Sequence, residues 1–173
     1  MKSFCHEHVF RAPSTAAVFA AYFDPRHALE QDRELDIIER VVIERDETAE
    51  QLRRVCRVVP RRQLPALVRP LISGQLHYVE TATWRKREDE IQVEIRPSIL
   101  SGRAVISATY RLSPVSAGLI RRLYEGSVSV DVALISSRIE RGIVAEFERS
   151  MPVAAACTQA FLDRSASFVQ ARA

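Results

Sequence analysis

Apolar and polar positions alternate at the start of the chain. In "SFCHEHVF", Phe4, His6, His8 and Phe10 fall in one register and Cys5, Glu7 and Val9 in the other, which predicts a strand. The spacing then turns helical. In "APSTAAVFAAYF", Ser14 stands where an N-cap belongs and Val18, Phe19 and Tyr22 share a face; Asp24-Pro25 stops the helix. "RHALEQDREL" predicts a second short helix. From residue 36 the period returns to two. "DIIERVVIERD" and "EQLRRVCRVVP" read as a hairpin with a polar turn around Asp46 to Thr48. "LHYVETATWRK" and "DEIQVEIRPSIL" follow, joined by a charged turn at Arg87 to Asp89. "GRAVISATYRLSP" and "LYEGSVSVDVALI" complete the run, with a loop containing Pro114 and Gly118 between them. Consecutive short strands with tight polar turns make an antiparallel meander.

The pattern becomes helical once more in "RIERGIVAEFERSMPVAAACTQAFLDRSASFVQA". Ile139, Ile143, Phe147, Met151, Ala155, Thr158, Leu162 and Phe168 form one stripe, and Glu140, Arg141, Glu148, Arg149 and Asp163 fall off it. Pro152 is expected to bend this helix or break it in two. So long a stripe needs a surface of matching size, and the concave face of the sheet supplies it. One segment follows neither period. "LPALVRPLI", Leu64 to Ile72, is apolar, holds Pro65 and Pro70, and leads to Gly74. It is too short to send all its aliphatic side chains into a core. It reads either as a lid over an apolar tunnel or as a connector packed on the sheet edge.

Composition changes this picture little. The 173 residues, 47% hydrophobic and 27% charged, are expected to form one globular domain over residues 1–173. No apolar run reaches the roughly 18 residues that span a bilayer. "MKSFCHEHVF" is not a signal peptide by pattern, so the expected compartment is the cytoplasm. Cys5, Cys56 and Cys157 are far apart and without CxxC spacing, so they read as plain buried or half-buried thiols rather than a disulfide or zinc framework. The net charge is +3 and nearly all the positive charge is arginine; Lys2 and Lys86 are the only lysines. Arg53, Arg54, Arg57, Arg61 and Arg62 form the densest basic stretch. Without interleaved aromatics it predicts no nucleic-acid partner. It reads as a solvated strand face plus loop, with transient contact to an anionic membrane as the alternative.

Candidate chemistry is sparse. His6 and His8 share a strand face and could supply half a metal site or a catalytic base, with Glu80 or His77 as a further ligand. Nothing in the spacing makes these converge, so no metal is expected. Tyr78, Glu80, Ala82 and Trp84 share a face of another strand, either as a pocket wall with one carboxylate or as an outward surface with Trp84 on a neighbouring arginine. Val128, Val130, Val132 and Leu134 form an apolar side expected to meet the last helix. Tyr110 and Tyr124 could place hydroxyls near a ligand. No nucleophile elbow, phosphate-cradling loop or HExxH motif is present.

The order of elements resembles the START-like, helix-grip superfamily, which includes lipid-transfer domains and aromatic polyketide cyclases. "LPALVRPLISG" followed by "VETATW", then "YEGSVSVDVALISSRIE" leading into the last helix, resemble a bacterial domain-of-unknown-function branch of it. Ser136 and Ser137 stand where that superfamily often has small residues or glycine. The resemblance implies an α+β helix-grip fold: a curved antiparallel sheet of about seven strands, two short helices after the first strand, and a long C-terminal helix packed on the concave face. It also implies a hydrophobic tunnel and no fixed catalytic set. The expected partner is a lipid or other hydrophobic small molecule, and no cofactor is expected. The expected walls are Tyr78, Glu80, Trp84, Tyr110, Val130, Phe147 and Met151, with Leu67, Val68 and Leu71 at the mouth. A rival expectation is a cyclase, dehydratase or isomerase with His8 or Glu80 as general base. A third is a membrane-surface or protein-interaction module working through Arg53 to Arg62.

Overall fold

The computed structural model describes residues 1–61, 76–98, 102–132 and 134–170. Among these the chain runs β1 (Lys2–Arg11), α1 (Thr15–Phe23), α2 (Pro25–Glu34), β2 (Ile37–Glu47), β3 (Gln51–Pro60), β4 (Tyr78–Arg85), β5 (Glu90–Pro97), β6 (Ala104–Ser116), β7 (Leu119–Val130) and α3 (Ser136–Gln170). The strands form one antiparallel sheet in the order β1-β7-β6-β5-β4-β3-β2. Consecutive strands are neighbours except β1 and β2, which α1 and α2 link from one edge of the sheet to the other. This is the α+β helix-grip architecture that the element order predicts.

Local chemistry explains the boundaries. The Ser14 hydroxyl accepts the Ala17 N–H at 3.2 Å and caps α1. Asp24 ends α1 and begins α2, its carboxylate accepting the Arg26 N–H at 2.8 Å while Pro25 fills the first turn. The structure departs from the sequence expectation at several points, and β7 begins at Leu119 rather than Leu123. Pro114 belongs to β6 and pairs with Ile120; a register shift between Pro114 and Ser116 accommodates its missing N–H. β7 stops at Val130, so Leu134 leaves the apolar row and is fully exposed at φ 70°. There the Ser136 hydroxyl accepts the Val132 N–H at 2.9 Å and donates to the Val132 carbonyl at 2.6 Å. Finally, α3 is one helix of 35 residues with Pro152 inside it. Pro152 and Glu148 are exposed, so the carbonyl that loses its donor lies on the side open to hydration.

α3 packs on β1 and β7 and against α1 and α2. The Phe147 ring stacks on Phe4 at 4.7 Å, and Ile139, Val144, Ala155, Phe161 and Leu162 join the core. Gly126 lies between Phe4 and Ala108 in the pairing rows. A Cβ there would come within 2.3 Å of the Ser107 carbonyl oxygen, so only glycine permits this approach of β6 to β7. The far edge is barer: β2 leaves Ile38, Val41, Val42 and Ile43 exposed.

Candidate functional site

Strand alternation decides what faces α3. β1 contributes Phe4, His6, His8 and Phe10; β7 contributes Ile120, Arg122, Tyr124, Val128 and Val130; β6 contributes Ile106, Ala108, Tyr110 and Leu112. On β4, Tyr78, Glu80, Ala82 and Trp84 stand opposite Pro97, Ile95, Val93 and Ile91, so this row is an inner wall. Trp84 stacks on Phe19 at 4.9 Å and Phe23 at 6.1 Å, beneath α1, rather than on a surface arginine.

One end of this wall holds a balanced ionic network. Asp32 of α2 accepts from Arg40 at 2.9 Å, Arg40 lies 3.6 Å from Glu80, and Arg54 lies 3.8 Å from Glu80. Arg54 also donates to the Tyr22 carbonyl at 3.3 Å and sits 4.9 Å from the centre of the Phe23 ring. Burial opposes the Arg40 charge, but Glu80, Tyr78 and Asp32 outweigh it and hold the guanidinium charged. The expected solvated basic face is therefore corrected at Arg54, which is only 6% exposed because it shares the inward register of Leu52, Cys56 and Val58. Arg53 and Arg57 do face outward, paired with Glu44 and Glu39.

The other end is not balanced. Arg122 is 4% exposed, lying 5.4 Å from the Phe10 ring centre and 5.8 Å from that of Tyr110. Burial lowers its pKa, and the hydroxyls of Tyr110 and Tyr124 oppose that shift only in part. His8 stands opposite it across β1 and β7, with His6 one inward position away. Both imidazoles are pushed below their ordinary value, by burial first and then by the Arg122 charge.

All four tyrosines of the chain, Tyr22, Tyr78, Tyr110 and Tyr124, converge here. Burial raises each hydroxyl pKa, that of Tyr110 to about 12. Yet Tyr22 and Tyr78 keep accessible surface, as do Trp84, Ile95, Phe147 and Met151 around them. Four side-chain atoms on the same wall are buried without a hydrogen-bond partner: His6 Nε2, Arg54 Nε, Trp84 Nε1 and Arg122 Nε.

The structure thus gathers His8, Tyr78, Glu80, Trp84, Tyr110 and Val130 on one face, with Phe147 and Met151 of α3 packed against the same core. Leu67, Val68 and Leu71, and the rest of the segment Leu64 to Ile72, lie outside the described residues. Arg122, Arg54, Arg40 and Asp32 were not among the expected site residues. For two of them a signal existed: Arg122 is in phase with Ile120, Tyr124 and Val128, and Arg54 with Leu52 and Val58. Among the described residues, no three His, Cys, Asp or Glu side chains are placed to hold a metal ion. A hollow of about 620 Å³ lies on the outer face, lined by Ser3, Cys5, Gln92, Ser107, Thr109 and Glu125; another lies in the groove between α2 and α3. Cys5 is exposed there, whereas Cys56 is buried and Cys157 half-buried.

Residues 6–162 match a family described as protein of unknown function, DUF2505. The chain belongs to that family. No curated protein matches this DUF2505 chain in sequence. Its fold is START-like. It is similar to the Zhui aromatase/cyclase of a Streptomyces species, at 10% identity over 94% of each chain with a TM-score of 0.64. A START superfamily protein from Mycobacterium smegmatis matches at 8% identity over 94% of this chain and 97% of that one, with a TM-score of 0.59. Dicamba monooxygenase bound to 3,6-dichlorosalicylic acid matches at 12% identity over 98% of this chain and 52% of that one, with a TM-score of 0.64. At these identities the likeness is one of fold. Among the described residues of the DUF2505 chain, no helix is long and apolar enough to cross a membrane.

Proposed function

We propose that this protein binds a hydrophobic small molecule, a lipid or an aromatic compound, between the inner face of its sheet and α3. One observation carries the reading. Tyr22 and Tyr78 are set deep enough for burial to raise their hydroxyls, yet both keep accessible surface, on a wall that also holds four unpartnered polar atoms. Partly open aromatic hydroxyls beside unpartnered polar atoms are what a ligand-lined wall would present. The aromatic wall of Trp84, Tyr110, Tyr124 and Phe147 would take the apolar body of the ligand, worth roughly 25 cal/mol per Å² removed from water before association costs. The named contents of similar folds support this, since one is an aromatase/cyclase and another is bound to a small aromatic acid.

Trp84 is the only tryptophan, so its emission reports occupation of the wall. Delipidated protein titrated with naphthalene and long-chain alkyl probes should give a saturable change in Trp84 emission, and native mass spectrometry of freshly purified protein should show a bound apolar mass. Absence of both would overturn the reading. A second reading, an isomerase or cyclase in the same space, is favoured by His8. Burial and Arg122 lower the pKa of its imidazole, which favours the neutral form that a general base needs. Turnover lost in His8→Ala with affinity retained would support it.

A further inference from the structure

Arg122 is the one buried cation on the inner wall that the described fold leaves unbalanced. None of the ion pairs among the described residues includes it, and its favourable electrostatic partners are two neutral phenols, Tyr110 and Tyr124. All 22 Asp and Glu side chains lie within the described residues, so no acidic side chain remains to reach it from another segment. A guanidinium removed from water without a counter-charge is costly, and proteins rarely keep one unless something neutralises it. Its Nε–H has no acceptor. The rings of Phe10 and Tyr110 lie 5.4 and 5.8 Å from the guanidinium carbon, and the Tyr110 hydroxyl is a favourable neighbour, but neither ring supplies a charge.

From this geometry we infer that the molecule bound on the inner wall is an acid, whose carboxylate is held by the Arg122 guanidinium with the Tyr110 and Tyr124 hydroxyls beside it. The inference rests on the proposed binding function and adds the class of ligand. A planar fork of N–H donors matches a carboxylate with two parallel hydrogen bonds, which a hydroxyl or an ester cannot reproduce. One uncompensated positive charge calls for one negative charge. A phosphate monoester, with a charge of about −1.5 to −2 at neutral pH, would leave an excess charge in the same interior as Glu80. The apolar remainder of the acid would run along Phe147, Trp84 and Ile95; Ile95 stands opposite Glu80, whose charge Arg40 and Arg54 already neutralise.

The test uses matched pairs with the same shape and different charge: dodecanoic acid with dodecanamide, and naphthoic acid with naphthamide, each titrated at neutral pH against Trp84 emission. The wild-type protein should prefer the acid by about tenfold or more, as a charge-assisted fork allows. Arg122→Met should abolish that preference while amide binding is retained, and Arg122→Lys should keep only part of it. Equal binding of acid and amide by the wild type would overturn the inference and leave the binding function standing. No binding of any probe would overturn both. Thermal melting of the unliganded variants checks that they fold. Since Arg122 has no counter-charge to strand, Arg122→Met should melt no lower than wild type; a large drop would reveal a structural partner and also overturn the assignment.

Discussion

Arg54 and Arg122 stand on the same inner face, on β3 and β7, and are buried to nearly the same degree. Their surroundings differ in one respect. Arg54 shares Glu80 with Arg40, and Arg40 is bridged in turn to Asp32 of α2, so this group ties the far edge of the sheet to a helix and closes its own electrostatics. Arg122 faces phenols, imidazoles and aromatic rings, and closes nothing. Burial alone therefore does not distinguish a structural arginine from a recognition residue; the local count of charges does. The first kind of site is complete in the free protein, and the second acquires its counter-charge from outside.

The strongest way to break this comparison is to empty the network. Glu80→Gln would leave Arg40 and Arg54 facing each other with only Asp32 as anion. A loss of about 3–5 kcal/mol in urea unfolding is expected, because one partner of a buried charge group has been removed. A loss below about 1 kcal/mol would show that the network is solvated and that Arg54 resembles Arg122 after all. A smaller but more direct comparison makes the same change at both arginines. Arg54→Met should cost about 2–4 kcal/mol, since it strands part of the Glu80 charge, whereas Arg122→Met should be neutral or stabilising in the unliganded protein. Equal losses would erase the distinction.

The smallest effect lies in the histidines. Arg122 helps to depress His6 and His8, and Arg54 helps to depress His27, which is otherwise lowered chiefly by its own burial beside Thr158. NMR titration should find His6 and His8 raised in Arg122→Met with His27 unmoved, and the reverse in Arg54→Met. A shift of all three in either variant would mean that the two charge sites are one. The sign for stability follows from the same directions. Each imidazole is more easily protonated in the unfolded chain than in the folded one, so the stability it contributes is present above its ordinary value of 6.5 and is lost as pH falls below it. His27→Gln should flatten part of that acid limb.

Much of the fold was legible because it depends on local periodicity. Strands and helices declare themselves through which neighbours share a face, and caps such as Ser14 and Asp24 act within a few residues of themselves. The element order then left few ways to bury one long amphipathic helix. Where local reading misplaced a boundary, a contact from another strand decided it: β6 continued through Pro114 because β7 pairs beyond it, and β7 stopped short of Leu134 because Ser136 begins α3.

The site was legible only by phase. The period-two pattern assigned Tyr78, Glu80 and Trp84 to one face but could not say whether that face was inner or outer. Only the pairing of β4 with β5, and the covering of that side by α1, settled the matter. The pattern likewise carried Arg54 and Arg122 in phase with apolar residues. What separates them is whether an acidic side chain from a distant element reaches each one. That depends on how β2, β4 and α2 come together around Arg54 while β1, β6 and α3 close over Arg122. Sequence by itself sets which side of its own strand a residue occupies, because that follows from bond geometry; its charge partners are decided by long-range packing, which the tertiary structure alone displays.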